Sequence, residues 1–208
     1  MHIAVAGNIG AGKTTLTELL SKHYGWTPNY EDVDDNPYLN DFYNDMQRWS
    51  FNLQIYFLNS RFKQIIAIRK SGKTVIQDRT IYEDAYIFAR ALHAMGNLSE
   101  RDYLAYRQVF NLIVQNLPAP ALLVYLKAPV PVLLARIQQR ARNIETGITG
   151  EYLSLLDSFY EDWMQTFDIC PVLTLRTDDL DFVHKPRHLD TVVKRIQEKL
   201  SGKEEMVF

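Results

Sequence analysis

The stretch His2-Ile3-Ala4-Val5-Ala6-Gly7-Asn8-Ile9-Gly10-Ala11-Gly12-Lys13-Thr14-Thr15 constrains this chain more than any other. A short apolar run rich in β-branched residues passes directly into G-x-x-x-x-G-K-T, and an apolar helical pattern begins at Leu16. Strand, glycine-rich loop and helix in that order make a phosphate cradle. The glycines let the backbone curl until its N–H groups converge on one anion. The helix N-terminus adds the positive end of its dipole. In such a loop Lys13 reaches the β- and γ-phosphates of a nucleoside triphosphate, and the Thr14 hydroxyl ligates Mg²⁺. Gly7, Asn8, Ile9, Gly10, Ala11, Gly12, Lys13, Thr14 and Thr15 are therefore the expected triphosphate-binding set.

The rest of the chain repeats that alternation. Apolar runs near 2–6, 28–31, 74–78, 121–126 and 171–175 read as strands. Between them lie helical patterns, the first ending at Gly25. Asn36 is placed to cap the next and Pro37 to start it. The aromatic-rich segment from Tyr38 to about Lys70 reads as two helices broken near Asp45–Arg48. Further helices are expected over 81–93, 99–117, from Pro129 through Arg140, over 151–167 and over 188–200. Ser99 is the expected cap of the 99–117 helix. Strands alternating with helices predict an α/β fold, a five-stranded parallel sheet covered on both faces by right-handed crossovers. Ligands then bind at the carboxyl ends of the strands.

Composition narrows the function classes. The 208 residues suit a single domain over 1–208, with a lid at about 136–150 and a mobile tail at 201–208. A net charge of −2 argues against a nucleic-acid binder. Cys170 is the only cysteine, so no intrachain disulfide forms, and a cytoplasmic location is expected. No apolar run approaches the ~20 residues of a membrane span, and the phosphate loop leaves no room for a leader.

Several polar residues are candidates for chemistry. Asp78 ends a buried strand, where an acid holds Mg²⁺; it could also cap the helix beginning near Ile81, and the metal role is the favoured reading. Glu31 ends the second strand and can take a proton from an attacking hydroxyl, with Asp32, Asp34 and Asp35 as competitors. Arg136, Arg140 and Arg142 cluster beside a glycine-bearing loop, as in a lid that closes on phosphates. Gln54 and Arg61 sit among aromatics seven residues apart, on one helix face. No Asn-Lys-x-Asp segment supports a GTPase. A monophosphate kinase of the thymidylate type would need a further cation where Glu31 stands. A silent scaffold would be expected to lose Lys13, Glu31 or Arg79.

With these residues in view, the chain resembles the deoxyribonucleoside kinases, and in length the short bacterial purine-preferring members. The segments that carry the likeness are 7–14, Arg-Trp-Ser-Phe-Asn-Leu-Gln at 48–54 with Arg61, Asp-Arg-Thr at 78–80 with Tyr82, Asp84 and 86–89, and Arg-Ala-Arg-Asn-Ile-Glu-Thr-Gly-Ile at 140–148. The resemblance implies a P-loop kinase fold with an arginine-rich lid. It also implies Mg²⁺-dependent transfer from ATP to the 5′-hydroxyl of a deoxyribonucleoside. Glu31 would be the base, and Arg79 would hold the hydroxyl and phosphates. Tyr43 and Glu145 would bind the 3′-hydroxyl. Gln54 would read the base, supported by Arg61 and Asp84, with Ile9, Val33, Leu39 and Phe88 lining the pocket. Asp179 and Phe182 would lie in the loop that meets the donor adenine. Where many members have Glu-Pro-Val, this chain has Glu31-Asp32-Val33. The likeness and the apolar surface expected on the 48–70 and 99–117 helices imply a homodimer. The Gln54 amide favours an amine-bearing base, deoxyadenosine first and thymidine last, although bulky Phe57 one turn on is placed to narrow the pocket.

Overall fold

The computed structural model describes residues 1–30, 36–140 and 147–202. Five strands, β1 (His2–Gly7), β2 (Thr27–Asn29), β3 (Val75–Asp78), β4 (Leu122–Lys127) and β5 (Val172–Arg176), form one sheet in the order β2-β3-β1-β4-β5. Every pairing is parallel. From β1 the chain crosses to the edge strand β2, returns to place β3 between β2 and β1, and then crosses to the other side of β1 for β4 and β5. The carboxyl end of β1 is therefore the topological switch point where ligands bind in such sheets.

The register places the chemistry at that end. Val5 pairs with Asp78, so Asp78 closes β3 directly beside the start of the phosphate loop. Asn29 pairs with Gln77, which brings the end of β2 to the same rim.

Both faces of the sheet are covered, which explains the continuous apolar strands. Ile3, Val5, Leu122, Val124 and Leu126 pack on one side with Leu16 and Leu20 of α1 (Lys13–Tyr24). Leu133 and Ile137 of α7 (Val130–Arg140) and Val192 and Ile196 of α9 (Pro186–Ser201) join them. Ala4, Ala6, Leu123 and Tyr125 face the other side, against Leu58 and Ile65 of α3 (Met46–Ser71). Tyr106 and Phe110 of α6 (Glu100–Gln115) and Leu156, Tyr160 and Trp163 of α8 (Gly150–Thr166) complete that layer. The period-2 alternation of strand side chains sorts neighbouring residues into two cores.

The break in the aromatic segment falls at Asp45, which separates α2 (Leu39–Asn44) from α3 and accepts Arg48 N–H at 3.0 Å. Many of its aromatics fill a third cluster. Phe42, Leu53, Leu92 and Leu98 lie at its centre, with Tyr38, Trp49 and Phe57 around them. Phe57 thus packs into this satellite core. Two expectations change. Asn36 Oδ1 accepts Tyr38 N–H at 3.0 Å, making a turn before α2, so Pro37 is not the first helical residue. The helix expected over 81–93 is in three parts: α4 (Ile81–Glu83), a π-helical turn (Asp84–Ala89) and α5 (Arg90–Ala94). Its cap is Thr80, whose hydroxyl accepts Glu83 N–H, so Asp78 is released from a capping role.

Candidate active site

The phosphate loop is built by its own side chains and by two distant helices. Asn8 is buried; its Oδ1 accepts Ile9 N–H at 2.8 Å, and its Nδ2 donates to Leu153 O on α8 at 3.0 Å. Gly10 has φ 83, and a Cβ there would stand 2.8 Å from the Leu133 carbonyl, so α7 can approach only a glycine. α1 starts at Gly12 with no side-chain cap and no acid in its first turn. Its first amides and dipole are thereby directed at an anion. Lys13 Nζ donates to Gly7 O at 2.7 Å and Asn8 O at 3.2 Å, folded across the cradle.

Thr14 Oγ1 donates to Asp78 Oδ2 at 2.5 Å. A hydroxyl and a carboxylate in contact are hard oxygen donors of the kind Mg²⁺ takes while keeping waters and phosphate oxygens. The pair fits that ion. Among the described residues no cluster of three or more His, Cys, Asp or Glu forms.

Arg79 follows Asp78 with φ 69, the one positive-φ non-glycine among the described residues. That left-handed conformation costs of order 1–3 kcal/mol and turns the chain sharply from β3 toward the Thr80 cap. The Arg79 guanidinium then lies over the Phe88 ring at 4.1 Å. Phe88 and Asp84 both belong to the π-helical turn, and such turns recur at functional sites. Tyr152, in the first turn of α8, feels the charge of Arg79 and lies near Tyr43; burial pushes its phenol up to about 12.

The polar residues expected on the base side are all buried. Gln54, Arg61 and Asp84 are 4 %, 2 % and 2 % exposed. Arg61 Nε donates to Asp84 Oδ2 at 3.3 Å, a buried ion pair between α3 and the π-helical turn. Gln54 Oε1 is buried and, among the described residues, has no hydrogen-bond partner. A buried acceptor left this way costs about 1–3 kcal/mol until something donates to it. Tyr43 is half exposed, edge-on to Phe42, and Leu39 flanks the same aromatic cluster. Ile9 is half-buried between the two cores.

A second cleft of about 480 Å³ opens on the other side of the loop, lined by Gly12, Thr15, Arg136, Arg140, Asp179 and Phe182 among others. Phe182 is buried against Gly12, within 3.4 Å of where a Cβ would stand. Arg136 is docked on the end of β5: its guanidinium donates to Thr177 Oγ1 at 2.9 Å and to Thr177 O. Thr177 Oγ1 donates to Ala11 O at 3.4 Å, which ties the loop after β5 to the phosphate loop. Arg176 beside Asp178 holds that carboxyl below the usual range, and the His184 amide does the same for Asp181. The expectations for Glu31, Val33, Arg142 and Glu145, and for the tail beyond Gly202, lie outside the described residues.

Two residues of the site escaped the sequence reading. Glu83 is fully buried; its Oε1 accepts the Gly7 amide at 3.1 Å and its Oε2 the Thr80 amide at 2.7 Å. The Tyr160 hydroxyl lies 2.8 Å from both Gly7 O and Glu83 Oε1 and donates to one of them. Thr80-Ile81-Tyr82-Glu83 is the T-x-x-E capping pattern, so Glu83 had a signal in the sequence. Tyr160 had none, since only the packing of α8 brings it 153 residues back to Gly7.

Residues 3–201 match the deoxynucleoside kinase family. The deoxyadenosine/deoxycytidine kinase of Bacillus subtilis (strain 168) is 42% identical over 93% of this chain and 90% of its own length. The deoxyguanosine kinase of the same organism is 38% identical over 94% of this chain and 96% of its own. Among solved structures, deoxyadenosine kinase from M. mycoides with products dCMP and a flexible dCDP superposes with TM-score 0.84 at 30% identity, covering 95% of this chain and 100% of that one. The same enzyme with bound dATP gives 0.82 at 29% identity over 95% and 99%.

Proposed function

The chain belongs to the deoxynucleoside kinase family, and on that premise we propose that it moves the γ-phosphoryl group of ATP to the 5′-hydroxyl of a deoxyribonucleoside, adenine preferred. The observation that carries the base reading is the buried, unmet Gln54 Oε1, on the α3 face that also carries Arg61 of the Arg61–Asp84 pair. An amide offers one acceptor and two donors, and it pairs bidentately with the N6/N7 edge of adenine. The charged pair fills space that a thymine methyl would need. Deoxyguanosine and deoxycytidine rank next and thymidine last, in keeping with relatives named for deoxyadenosine, deoxycytidine and deoxyguanosine.

In this mechanism Glu31 takes the proton from the attacking hydroxyl. Arg79 holds that hydroxyl and the phosphates, while Tyr43 and Glu145 hold the 3′-hydroxyl. Val33, Leu39 and Phe88 bound the sugar and base. The amides from Gly7 to Thr15, with Lys13, cradle the donor phosphates. Arg136, Arg140 and Arg142 bring positive charge to the transferring group and exclude water. Asp179 and Phe182 flank the donor adenine. Thr14 and Asp78 would hold Mg²⁺, which when bound neutralises charge on the phosphates. A cytoplasmic protein fits the single cysteine, and no helix among the described residues is long and apolar enough to cross a membrane.

We further propose a homodimer through the outer face of α6, where Leu104, Val109 and Leu112 are exposed. The large apolar side chains of α3 are buried or half-buried, so α6 alone supports this reading.

The test is turnover of the four deoxyribonucleosides and their monophosphates with ATP and Mg²⁺. Deoxyadenosine should give the highest kcat/KM; thymidine as the best substrate would sink the pocket argument, and monophosphates as substrates would sink the acceptor. Glu31→Gln should cost about 10²–10⁴-fold in kcat with nucleoside binding retained.

A further inference from the structure

Gln64 lies one turn beyond Arg61 on α3, and three hydrogen bonds converge on its amide. Its Oε1 accepts from Arg61 Nη1 at 3.2 Å and from Gln77 Nε2 at 3.3 Å. Its Nε2 donates to the Tyr30 carbonyl at 3.2 Å. Gln77, fully buried on β3, receives His2 Nε2 on its own Oε1 at 2.9 Å.

Only one orientation satisfies this relay. A guanidinium donates and never accepts, so the Gln64 atom facing Arg61 is Oε1, and its NH₂ faces the Tyr30 carbonyl. Gln77 must then present its NH₂ to Gln64, leaving Oε1 for His2. Burial lowers His2 to about 4, so the ring is neutral near pH 7 and carries its proton on Nε2.

The two outer ends of the relay lead to different halves of the reaction. Arg61 is bonded at Nε to Asp84 and at Nη1 to Gln64, and both bonds bear on the plane of its guanidinium. Tyr30 follows β2 and immediately precedes Glu31. One side chain therefore grips both the base-side arginine and the chain that carries the expected proton acceptor.

We propose that Gln64 is a positioning residue, setting base selection through Arg61 and, through the Tyr30 carbonyl, the end of the chain segment that leads into the expected base Glu31. This rests on the deoxynucleoside kinase reading of the site. Without the Gln64 bond the Arg61 fork is less constrained, and a base edge is discriminated only by groups held in place.

Two variants separate the arms. Gln64→Met keeps length and removes all three bonds. Gln64→Glu keeps acceptors for Arg61 and Gln77 and removes the donor to Tyr30. For Gln64→Met, the ratio of kcat/KM between the best and worst of the four deoxyribonucleosides should fall about tenfold, with kcat lower for each, in line with the loss of a half-buried hydrogen bond to a charged group. Gln64→Glu should keep that ratio and lower kcat about tenfold for every base, with KM little changed. Turnover of deoxyribonucleosides by the wild type is the control on the site reading itself. With that control in hand, an unchanged ratio in Gln64→Met overturns the proposal alone. So does a uniform loss that follows melting temperature in both variants. Equal loss of discrimination in the two variants would overturn the division of labour.

Discussion

Replacing Glu83 should damage both stability and nucleotide binding, by amounts that follow from its partners. The side chain is fully buried and accepts two backbone amides, Gly7 at 3.1 Å and Thr80 at 2.7 Å. Alanine leaves both amides without an acceptor, at about 1–3 kcal/mol each, or about 2–6 kcal/mol together. Glutamine keeps one carbonyl oxygen but turns an NH₂ toward the other amide, at about 1–3 kcal/mol. For a chain of this size each kcal/mol lowers Tm by about 2–4 °C. Glu83→Gln should therefore melt about 2–12 °C lower, and Glu83→Ala about 4–24 °C lower. Tyr160→Phe removes one hydrogen bond while Gly7 O keeps Lys13, so it should cost only about 0.5–1.5 kcal/mol. Because Gly7 opens the phosphate loop, Glu83→Gln should also raise KM for ATP more than KM for the nucleoside. Melting by scanning calorimetry, with initial rates at saturating nucleoside, reads both effects. Glu83→Gln within about 1 °C of wild type, with KM for ATP unchanged, would refute the reasoning.

Lys13→Ala should lose about 10²-fold or more in kcat and keep its fold, because the ammonium rests on loop carbonyls at the cleft; normal turnover would refute the cradle. Leu112 is 65% exposed on α6, so Leu112→Glu should turn the expected dimer into a monomer in light scattering, and a monomeric wild type at micromolar concentration would defeat the interface. His2 titrates near 4 in the folded chain against 6.5 ordinarily, because burial disfavours its charged form. The unfolded chain therefore binds that proton first, so stability is full above about 6.5 and declines as pH falls toward 4. His2→Gln should flatten denaturant midpoints across that window, and an unchanged slope would exclude His2 as the cause.

The elements were legible from residue pattern alone wherever a local rule decides them. Glycines and Lys13 after a β-branched run specify strand, loop and helix without knowledge of any other segment. Apolar runs such as Leu122–Leu126 announce a strand buried on both faces. The polar Gln54 and Arg61 stood out because their spacing puts them on one helical face among aromatics. Other features depend on what meets what across the fold. The widened turn at Asp84–Ala89 has no composition signature, and neither does the left-handed Arg79. Both are conformations that cost energy locally and persist because surrounding packing holds them. Tyr160 over Gly7, Arg136 on Thr177 and the amide of Gln64 between Arg61 and Tyr30 join segments far apart in the chain. Periodicity reports which face of an element is buried; only the tertiary structure decides which groups that face meets, because hydrogen-bond partners are chosen by distances of a few ångströms.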